Sequence, residues 1–136
     1  NRTIHTVTIT GDEAVTMCSY PGALSQVITN LVMNSLEHAF SDDVPGQIEI
    51  AVEGDADSVV IHYADDGRGM REQVRARIFE PFFTTARGQG GTGLGMHLVY
   101  NLVTQKLDGS IQCSSSPGTG TTFVLTLPSS LQTLTP

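Results

Sequence analysis

The chain has 136 residues, of which 39% are hydrophobic and 15% are charged. This length suits one domain with one core, and the composition is that of a folded globular protein. The formal net charge is −7 and Lys and Arg form no cluster, so the electrostatic footprint of a nucleic-acid-binding protein is absent. No apolar stretch approaches the length of a membrane span, so we expect no membrane contact by these residues.

The first residues and the cysteines indicate the origin and the location of the chain. It begins at Asn1 without Met and runs almost directly into a strand-like segment, so we interpret residues 1–136 as a single domain excised from a longer protein. A membrane anchor of the parent protein would lie outside this fragment. Cys18 and Cys113 form no CxxC pair, which predicts free thiols in a reducing compartment and a cytoplasmic location.

The first half of the chain predicts a strand, a long helix and a hairpin. Residues 4–10 alternate between apolar and polar side chains, as in an edge strand. Pro21 opens a helical pattern that ends near Phe40. Residues 47–53 and 58–63 alternate again around a Gly-Asp-Ala-Asp turn, as in a β-hairpin. The apolar face of the helix, taking about 100° per residue, consists of Leu24, Val27, Ile28, Leu31, Val32, Leu36 and Ala39.

The second half predicts two further helices and a second hairpin. Residues 71–79 form a short helical stretch, residues 84–95 are glycine-rich without periodicity, and residues 96–107 are helical again. Residues 110–114 and 121–127 form the second hairpin. Helices and strands thus come in clumps, which favours a two-layer α/β sandwich with a mixed sheet covered by helices on one face.

A polar stripe lies on the long helix. Asn30, Asn34 and His38 recur every four residues along the border of its apolar face. The amide oxygen of Asn34 suits a hard cation such as Mg²⁺, which would neutralise phosphate oxygens. An ordinary helix flank with solvated amides is the alternative, and the stripe alone favours it. For His38, packing on the helix border is the alternative to a role in binding.

A second motif, Asp65-Asp66-Gly67-Arg68-Gly69, follows a predicted strand. A carboxylate there can accept a hydrogen bond from an exocyclic amine such as that of adenine. Gly67 and Gly69 allow the backbone to pass close to a flat ring. A plain acidic turn is the alternative explanation of this motif.

A third motif is the glycine-rich segment 87–95, which runs straight into a predicted helix. Its backbone amides and the helix N-terminus together form an anion site suited to phosphates. A flexible linker is the alternative. The segment is not a Walker A motif, and the lysine and HRD signatures of the protein kinases are missing.

The order and spacing of these motifs resemble the histidine-kinase ATPase family, within the superfamily that includes gyrase, the Hsp90 chaperones and MutL. The resemblance covers nearly the whole chain and implies the Bergerat-type α/β sandwich, with ATP and Mg²⁺ as ligands. Five segments carry it: an N box at 30–35, a first glycine box at 65–69, an F box at 78–85, a second glycine box at 91–95 and a closing glycine-threonine element at 118–123.

The resemblance implies a role for each matching position. Asn34 would hold Mg²⁺, Asn30 would support the phosphate side, and Asp65 would read the adenine amine. A lid over ATP would span residues 84–91, with Arg87 as a catalytic cation near the γ-phosphate beside the two asparagines. The pocket around adenine would involve Gly67, Gly69 and Thr121, and the nucleotide would also contact His38, Thr84, Thr85, Gly91, Thr92, Gly93, Leu94 and Gly95.

Two positions bear on the branch of the family. Glu37 stands where many members carry Lys or Arg, and we expect His38 or Arg87 to supply the missing positive charge. In the hydrolytic branch a Glu that activates water stands four residues before the magnesium Asn, but here the residue is Asn30. An amide is no general base at neutral pH, which favours a protein histidine kinase of a two-component system over a hydrolysing ATPase.

The phosphoacceptor is expected outside the chain. None of the four histidines, at positions 5, 38, 62 and 97, stands in an acidic phosphoacceptor context. The expected partners are a helical dimerisation and phosphotransfer domain of the same parent protein and a downstream response regulator. Three alternatives stay open: a gyrase- or Hsp90-type ATPase, a non-catalytic scaffold that keeps the fold, and a serine-directed kinase of the anti-sigma type.

Overall fold

The computed structural model describes residues 6–11, 17, 19–40, 45–83 and 94–130. Their five strands form one sheet in the order β1-β2-β3-β5-β4. β1 runs parallel to β2, and the remaining neighbours are antiparallel, which confirms the predicted mixed sheet and both hairpins. The strands are β1 Thr6–Gly11, β2 Gln47–Gly54, β3 Ser58–Asp65, β4 Ser110–Ser115 and β5 Thr121–Pro128.

Three helices complete the described part. Helix α1 spans Pro21–Asn34 and continues as a π-helical turn over Ser35–Ala39, α2 spans Glu72–Arg75, and α3 spans Gly95–Asn101 and continues as a π-helical turn over Leu102–Lys106. Pro begins α1, where its missing N–H costs no hydrogen bond. In the described residues, no helix combines the length and the apolar character that crossing a membrane requires.

The core lies between the helices and one face of the sheet. Strands β3 and β5 alternate between buried and partly or fully exposed side chains along most of their length, as their sequence pattern predicts. β1 is an edge strand, as predicted, but all six of its residues are exposed, with Ile9 at 69%. The buried apolar residues are Val27, Leu31, Phe40, Ile48, Ile50, Val59, Ile61, Tyr63, Met96, Val99, Val103, Leu107, Ile111, Cys113, Phe123, Leu125 and Leu127.

The end of the long helix corrects one prediction. Leu36, predicted on the buried face, is 39% exposed, whereas its neighbour Ser35 is fully buried. The helix widens into a π turn at Ser35–Ala39, where the backbone bonds run from residue i to i+5 and the side chains leave the 100° spacing of an α-helix. The π turn therefore brings a hydroxyl group into the interior.

The short helical stretch predicted at 71–79 is also shorter than expected. Only Glu72–Arg75 is α-helical, and the chain continues in turns whose amides bond three residues back, as Ile78 does to Arg75. Such bonds tighten the chain and end an α-helix. Cys113 is a free, buried thiol, as predicted, and burial raises its pKa to about 12. Cys18 lies outside the described residues.

The turn between β4 and β5 supplies a stability test. Gly118 and Gly120 both have positive φ, 82° and 78°, but a Cβ on Gly120 would overlap the carbonyl oxygen of Asp65, whereas one on Gly118 meets nothing within 4 Å. We expect Gly118→Ala to lower the free energy of unfolding by about 1–2 kcal/mol, the cost of the left-handed conformation. Gly120→Ala should cost about 1–3 kcal/mol more, because the strand end must shift.

Urea unfolding of the two variants against the wild type measures this difference. Gly118→Ala is the matched control, since it changes the conformational preference without the overlap. Equal losses in the two variants would contradict the close approach of Gly120 to the end of β3.

Candidate functional site

The Asp65 carboxyl group lies at the end of β3 and is only 6% exposed. Its Oδ1 accepts hydrogen bonds from the backbone N–H groups of Gly67, at 3.0 Å, and Thr121, at 3.2 Å. Its Oδ2 lies 2.8 Å from the hydroxyl oxygen of Ser35. Since a carboxylate has about four acceptor positions, one is left for a further donor. A plain acidic turn does not explain this buried and organised carboxyl group.

The surroundings of Asp65 change its acidity. Burial raises the pKa of its carboxyl group above the ordinary value, and the nearby Asp66 carboxylate acts in the same direction. The hydrogen bonds from Gly67, Ser35 and Thr121 lower the pKa but do not cancel the effect of burial. The site therefore holds a carboxyl group whose charge depends on the donors around it.

The glycines after Asp65 are required by close packing of the backbone. A Cβ on Gly67 would overlap the carbonyl group of Ala39, and one on Gly69, where φ is 72°, would overlap that of Ser116. The N–H of Arg68 donates to the Ala39 carbonyl at 2.8 Å. The loop is thus held between the π turn of the long helix and the β4–β5 turn. Gly67 and Gly69 are needed because other backbone segments pass close to them, which the sequence motif did not reveal.

Thr121 faces the same site from β5 and is nearly buried. The Ser115 hydroxyl accepts from the N–H of Met70 and donates to the carbonyl of Gly120, both at 2.8 Å. Its contact with Thr121 Oγ1, at 2.9 Å, therefore uses the hydrogen of Thr121. Because that hydrogen is taken, the Thr121 hydroxyl can offer only an acceptor to a ligand or a water.

The asparagines of α1 lie beside the start of α3. The Asn30 side chain donates to the carbonyl of Gly95 at 3.4 Å and accepts from Gln26 at 2.9 Å. Asn34 is partly exposed one turn further along α1. Both amides are held on regular helix, and Asn30 links that helix to Gly95, the last residue of the second glycine box and the first of α3.

The surroundings of His38 disfavour the positive charge that was expected of it. Its ring is partly buried, with Nε2 3.8 Å from a Glu37 carboxylate oxygen. Burial lowers the pKa of the His38 imidazole, Arg68 lowers it further, and Glu37 only partly opposes them. These surroundings therefore favour the neutral ring, and a positive charge supplied by His38 or Arg87 stays a prediction.

Several predicted site residues lie outside the described part of the chain. These are Thr84, Thr85, Arg87, Gly91, Thr92 and Gly93. Leu94 and Gly95 are described, and both are exposed at the start of α3. From the F box, Phe79 packs its ring against Tyr100, with centroids 5.4 Å apart, and against Phe123 at 6.2 Å, which ties this segment to the core.

Sequence reasoning missed three side chains that complete the Asp65 environment. Ser35 and Tyr63 lie 2.7 Å apart, oxygen to oxygen, and Ser115 holds Thr121. A signal existed for two of them: Ser35 directly follows Asn34, and Tyr63 stands two residues before Asp65 on the same face of β3.

The mixed sheet, with helices on one face and a buried carboxyl group at the end of its central strand, agrees with the α/β sandwich that the resemblance implied. Residues 20–131 match the family described as histidine kinase-, DNA gyrase B-, and HSP90-like ATPase. The chain belongs to this family, which confirms the resemblance and the Bergerat-type fold.

Its relatives include sensor kinases. The chain is 40% identical over 111 residues to the autoinducer 2 sensor kinase/phosphatase LuxQ of Vibrio parahaemolyticus, and the match covers 77% of this chain and 13% of LuxQ. The solved catalytic domain of the histidine kinase ThkA is 27% identical with a TM-score of 0.78, covering 94% of this chain and 82% of that one. Full-length ShkA in complex with AMPPNP is 25% identical with a TM-score of 0.70, covering 92% and 25%.

Proposed function

We propose that this chain is the catalytic domain of a sensor histidine kinase, which passes the γ-phosphoryl group of ATP to a histidine on a separate dimerisation domain of the same protein. The observation that carries the proposal is the buried Asp65 carboxylate, which has one acceptor position left beside its three donors. Family membership and the sensor kinases among its relatives support the same functional assignment.

The adenine base would be read at Asp65. Its exocyclic amine donates to the carboxylate, while the Thr121 hydroxyl offers an acceptor to a bound water or to the base edge. Gly67 and Gly69 hold the loop in place and are part of the pocket through their backbone. The complex of ShkA with AMPPNP supports this choice of ligand, because that protein shares the fold and binds an analogue of ATP.

The phosphates would extend from Asp65 towards Asn30, Asn34 and Gly95. Among the described residues no group of three or more His, Cys, Asp and Glu could hold a metal ion, whereas one amide oxygen from Asn34 suits Mg²⁺, which keeps waters and takes its other ligands from phosphate. When bound, Mg²⁺ neutralises phosphate charge. We also assign to the phosphate side, from the family pattern, the residues Thr84, Thr85, Arg87, Gly91, Thr92, Gly93 and Leu94, with His38 near the nucleotide.

The reaction class rests on residue 30. The Asn30 amide has no basic lone pair, and its two polar atoms are engaged with Gln26 and Gly95. A water beside the γ-phosphate would therefore lack a general base at this position. Holding ATP without activating water favours transfer to a partner, in which positioning and charge neutralisation supply most of the catalysis.

The acceptor histidine would lie in another domain of the parent protein. His62 lies within β3, His97 within α3 and His38 within the π turn, and each is part of the folded framework. A response regulator would then receive the phosphoryl group. We place the domain in the cytoplasm, because ATP, the proposed substrate, is supplied there.

The test uses radiolabelled ATP and the dimerisation domain of the parent protein. We expect label on the histidine of that domain, and little release of free phosphate by the catalytic domain alone. A dimerisation domain with its histidine replaced by Ala is the control and should stay unlabelled. Brisk phosphate release without transfer would move the assignment to the hydrolysing ATPases, and label on a serine would favour the anti-sigma type of kinase.

A further inference from the structure

A row of oxygen atoms connects Asp65 to the long helix. Asp65 Oδ2 lies 2.8 Å from Ser35 Oγ, which lies 2.7 Å from Tyr63 Oη, which lies 3.0 Å from the carbonyl oxygen of Leu31. All three contacts are within hydrogen-bond distance, and Ser35 and Tyr63 are fully buried. The row therefore has no access to bulk water through these two side chains.

The count of hydrogens in this row depends on the charge of Asp65. Two hydroxyl groups supply two hydrogens, so one of the three contacts lacks a hydrogen when the carboxylate is ionised. If Oδ2 carries a proton, all three contacts are filled: Asp65 donates to Ser35, Ser35 to Tyr63, and Tyr63 to Leu31. On ionisation the Ser35 hydroxyl must turn to donate to Asp65.

We propose that Ser35 and Tyr63 are positioning residues for Asp65, which set through the direction of their hydroxyl groups whether Oδ2 is free to accept the adenine amine. The proposal rests on the assignment of adenine to Asp65 made above. It names, as determinants of adenine recognition, two residues to which the nucleotide motifs assign no role. Their effect reaches the base only through the carboxyl group.

The other groups around Asp65 are compatible with this role. From the following loop, the neighbouring Asp66 carboxylate opposes ionisation of Asp65. On β3 and β4, burial raises the pKa of the Tyr63 phenol and of the Cys113 thiol, so both stay protonated at neutral pH. The backbone N–H of Thr121 on β5 and the Ser35 hydroxyl on the π turn are uncharged donors, and the His38 ring faces Glu37 and Arg68. Tyr63 and Cys113 therefore keep their charge state as the pH falls, whereas the Asp65 carboxyl group and the His38 ring take up protons.

The two hydroxyl groups have opposite effects on this equilibrium. Ser35→Ala removes the donor whose hydrogen bond lowers the pKa of Asp65. A hydrogen bond to an ionised acceptor is stronger than either neutral bond that the protonated state loses with Ser35, so the pKa of Asp65 should rise. When Asp65 is ionised, Ser35 donates to Asp65 and Tyr63 donates to Leu31, so the contact between Ser35 and Tyr63 has no hydrogen. Tyr63→Phe removes this contact. The remaining Ser35 hydroxyl then serves the carboxylate alone, so the pKa of Asp65 should fall.

The experiment is a carbon-13 NMR titration of the Asp65 side-chain carboxyl in the nucleotide-free domain, followed by ATP affinity as a function of pH. We expect the titration midpoint to move up in Ser35→Ala and down in Tyr63→Phe. The pH below which ATP affinity is lost should move with it, since the amine needs the ionised acceptor. The exposed residues Ser110 and Tyr100 give matched controls, Ser110→Ala and Tyr100→Phe, which should leave the midpoint in place.

The outcomes separate the two proposals. Opposite shifts of the carboxyl midpoint support the positioning role even if ATP does not bind, whereas a failure of the wild type to bind ATP overturns only the proposed function. Shifts in the same direction, or none, overturn the positioning role. Tyr63→Phe keeps the ring that packs 6.2 Å from Phe123, so it carries the test alone if Ser35→Ala does not fold.

Discussion

Replacing Asp65 with Asn is expected to lower the affinity for ATP about 100-fold while the domain stays folded. A hydrogen bond to a charged group contributes about 1.5–3 kcal/mol, and about 1.4 kcal/mol corresponds to a factor of ten in affinity. The new amide can still accept through its oxygen from Gly67 and Thr121, but its NH₂ group then faces Ser35 and the adenine amine. The amide NH₂ of the variant and the adenine amine, both donors, would then face each other, whereas binding requires a donor and an acceptor.

Titration calorimetry with ATP and GTP measures this effect. Asp66→Asn is the matched control, because Asp66 is exposed and accepts from the backbone N–H of Gln47 at 2.8 Å, and it should keep near wild-type affinity. The wild type should prefer ATP over GTP, since guanine presents a carbonyl oxygen where adenine has its amine. Equal affinity for the two nucleotides, or full ATP binding by Asp65→Asn, would remove Asp65 from the adenine pocket.

Replacing Asn34 with Ala is expected to remove most of the Mg²⁺-dependent affinity for ATP and, with it, transfer to the acceptor histidine. The partly exposed side chain adds little to the core, so the domain should fold with near wild-type stability. A lost metal ligand leaves the triphosphate charge without its counter-ion at the point where transfer occurs. The loss of transfer should exceed tenfold, because orientation and charge neutralisation fail together.

The measurement compares ATP binding with magnesium and with a chelator, for the wild type and Asn34→Ala. Magnesium should increase affinity in the wild type and have little effect in the variant. Asn101→Ala on α3 is the control for an exposed helical Asn and should behave like the wild type. A variant that keeps the full magnesium effect would take Asn34 out of the metal site.

Asn30→Glu, which supplies a carboxylate, should raise ATP hydrolysis slightly.

The sequence predicts the framework well where periodicity is strong. Alternation along β3 and β5 and the helical spacing of Val27 and Leu31 place these side chains in the core, because one buried face imposes a fixed period on its element. The exposed Leu36 shows the limit of this reasoning. A π turn changes the period within a helix, and this one contacts the loop that contains Gly67 through the Ala39 carbonyl, a long-range contact that local sequence does not encode.

The candidate site likewise consists of residues that the sequence predicts and residues that only the structure reveals. Asn30, Asn34, Asp65 and Thr121 belong to short motifs whose residue types and spacing point to nucleotide chemistry. The Ser35–Tyr63 pair joins residues 28 positions apart, and neither is unusual in its own segment. Such a contact depends on how the helix lies over the sheet, so only the three-dimensional structure reveals it.

The place of β3 in the sheet has a consequence for the thermodynamics of binding. Asp65 pairs with Ile48 of β2 on one side and with Thr121 of β5 on the other, so its backbone is anchored from both directions. Paired central strands are the last parts of a domain to open in native-state fluctuations. The base would therefore meet a surface that needs little ordering, and its binding would incur little of the entropy loss that weakens association with mobile sites.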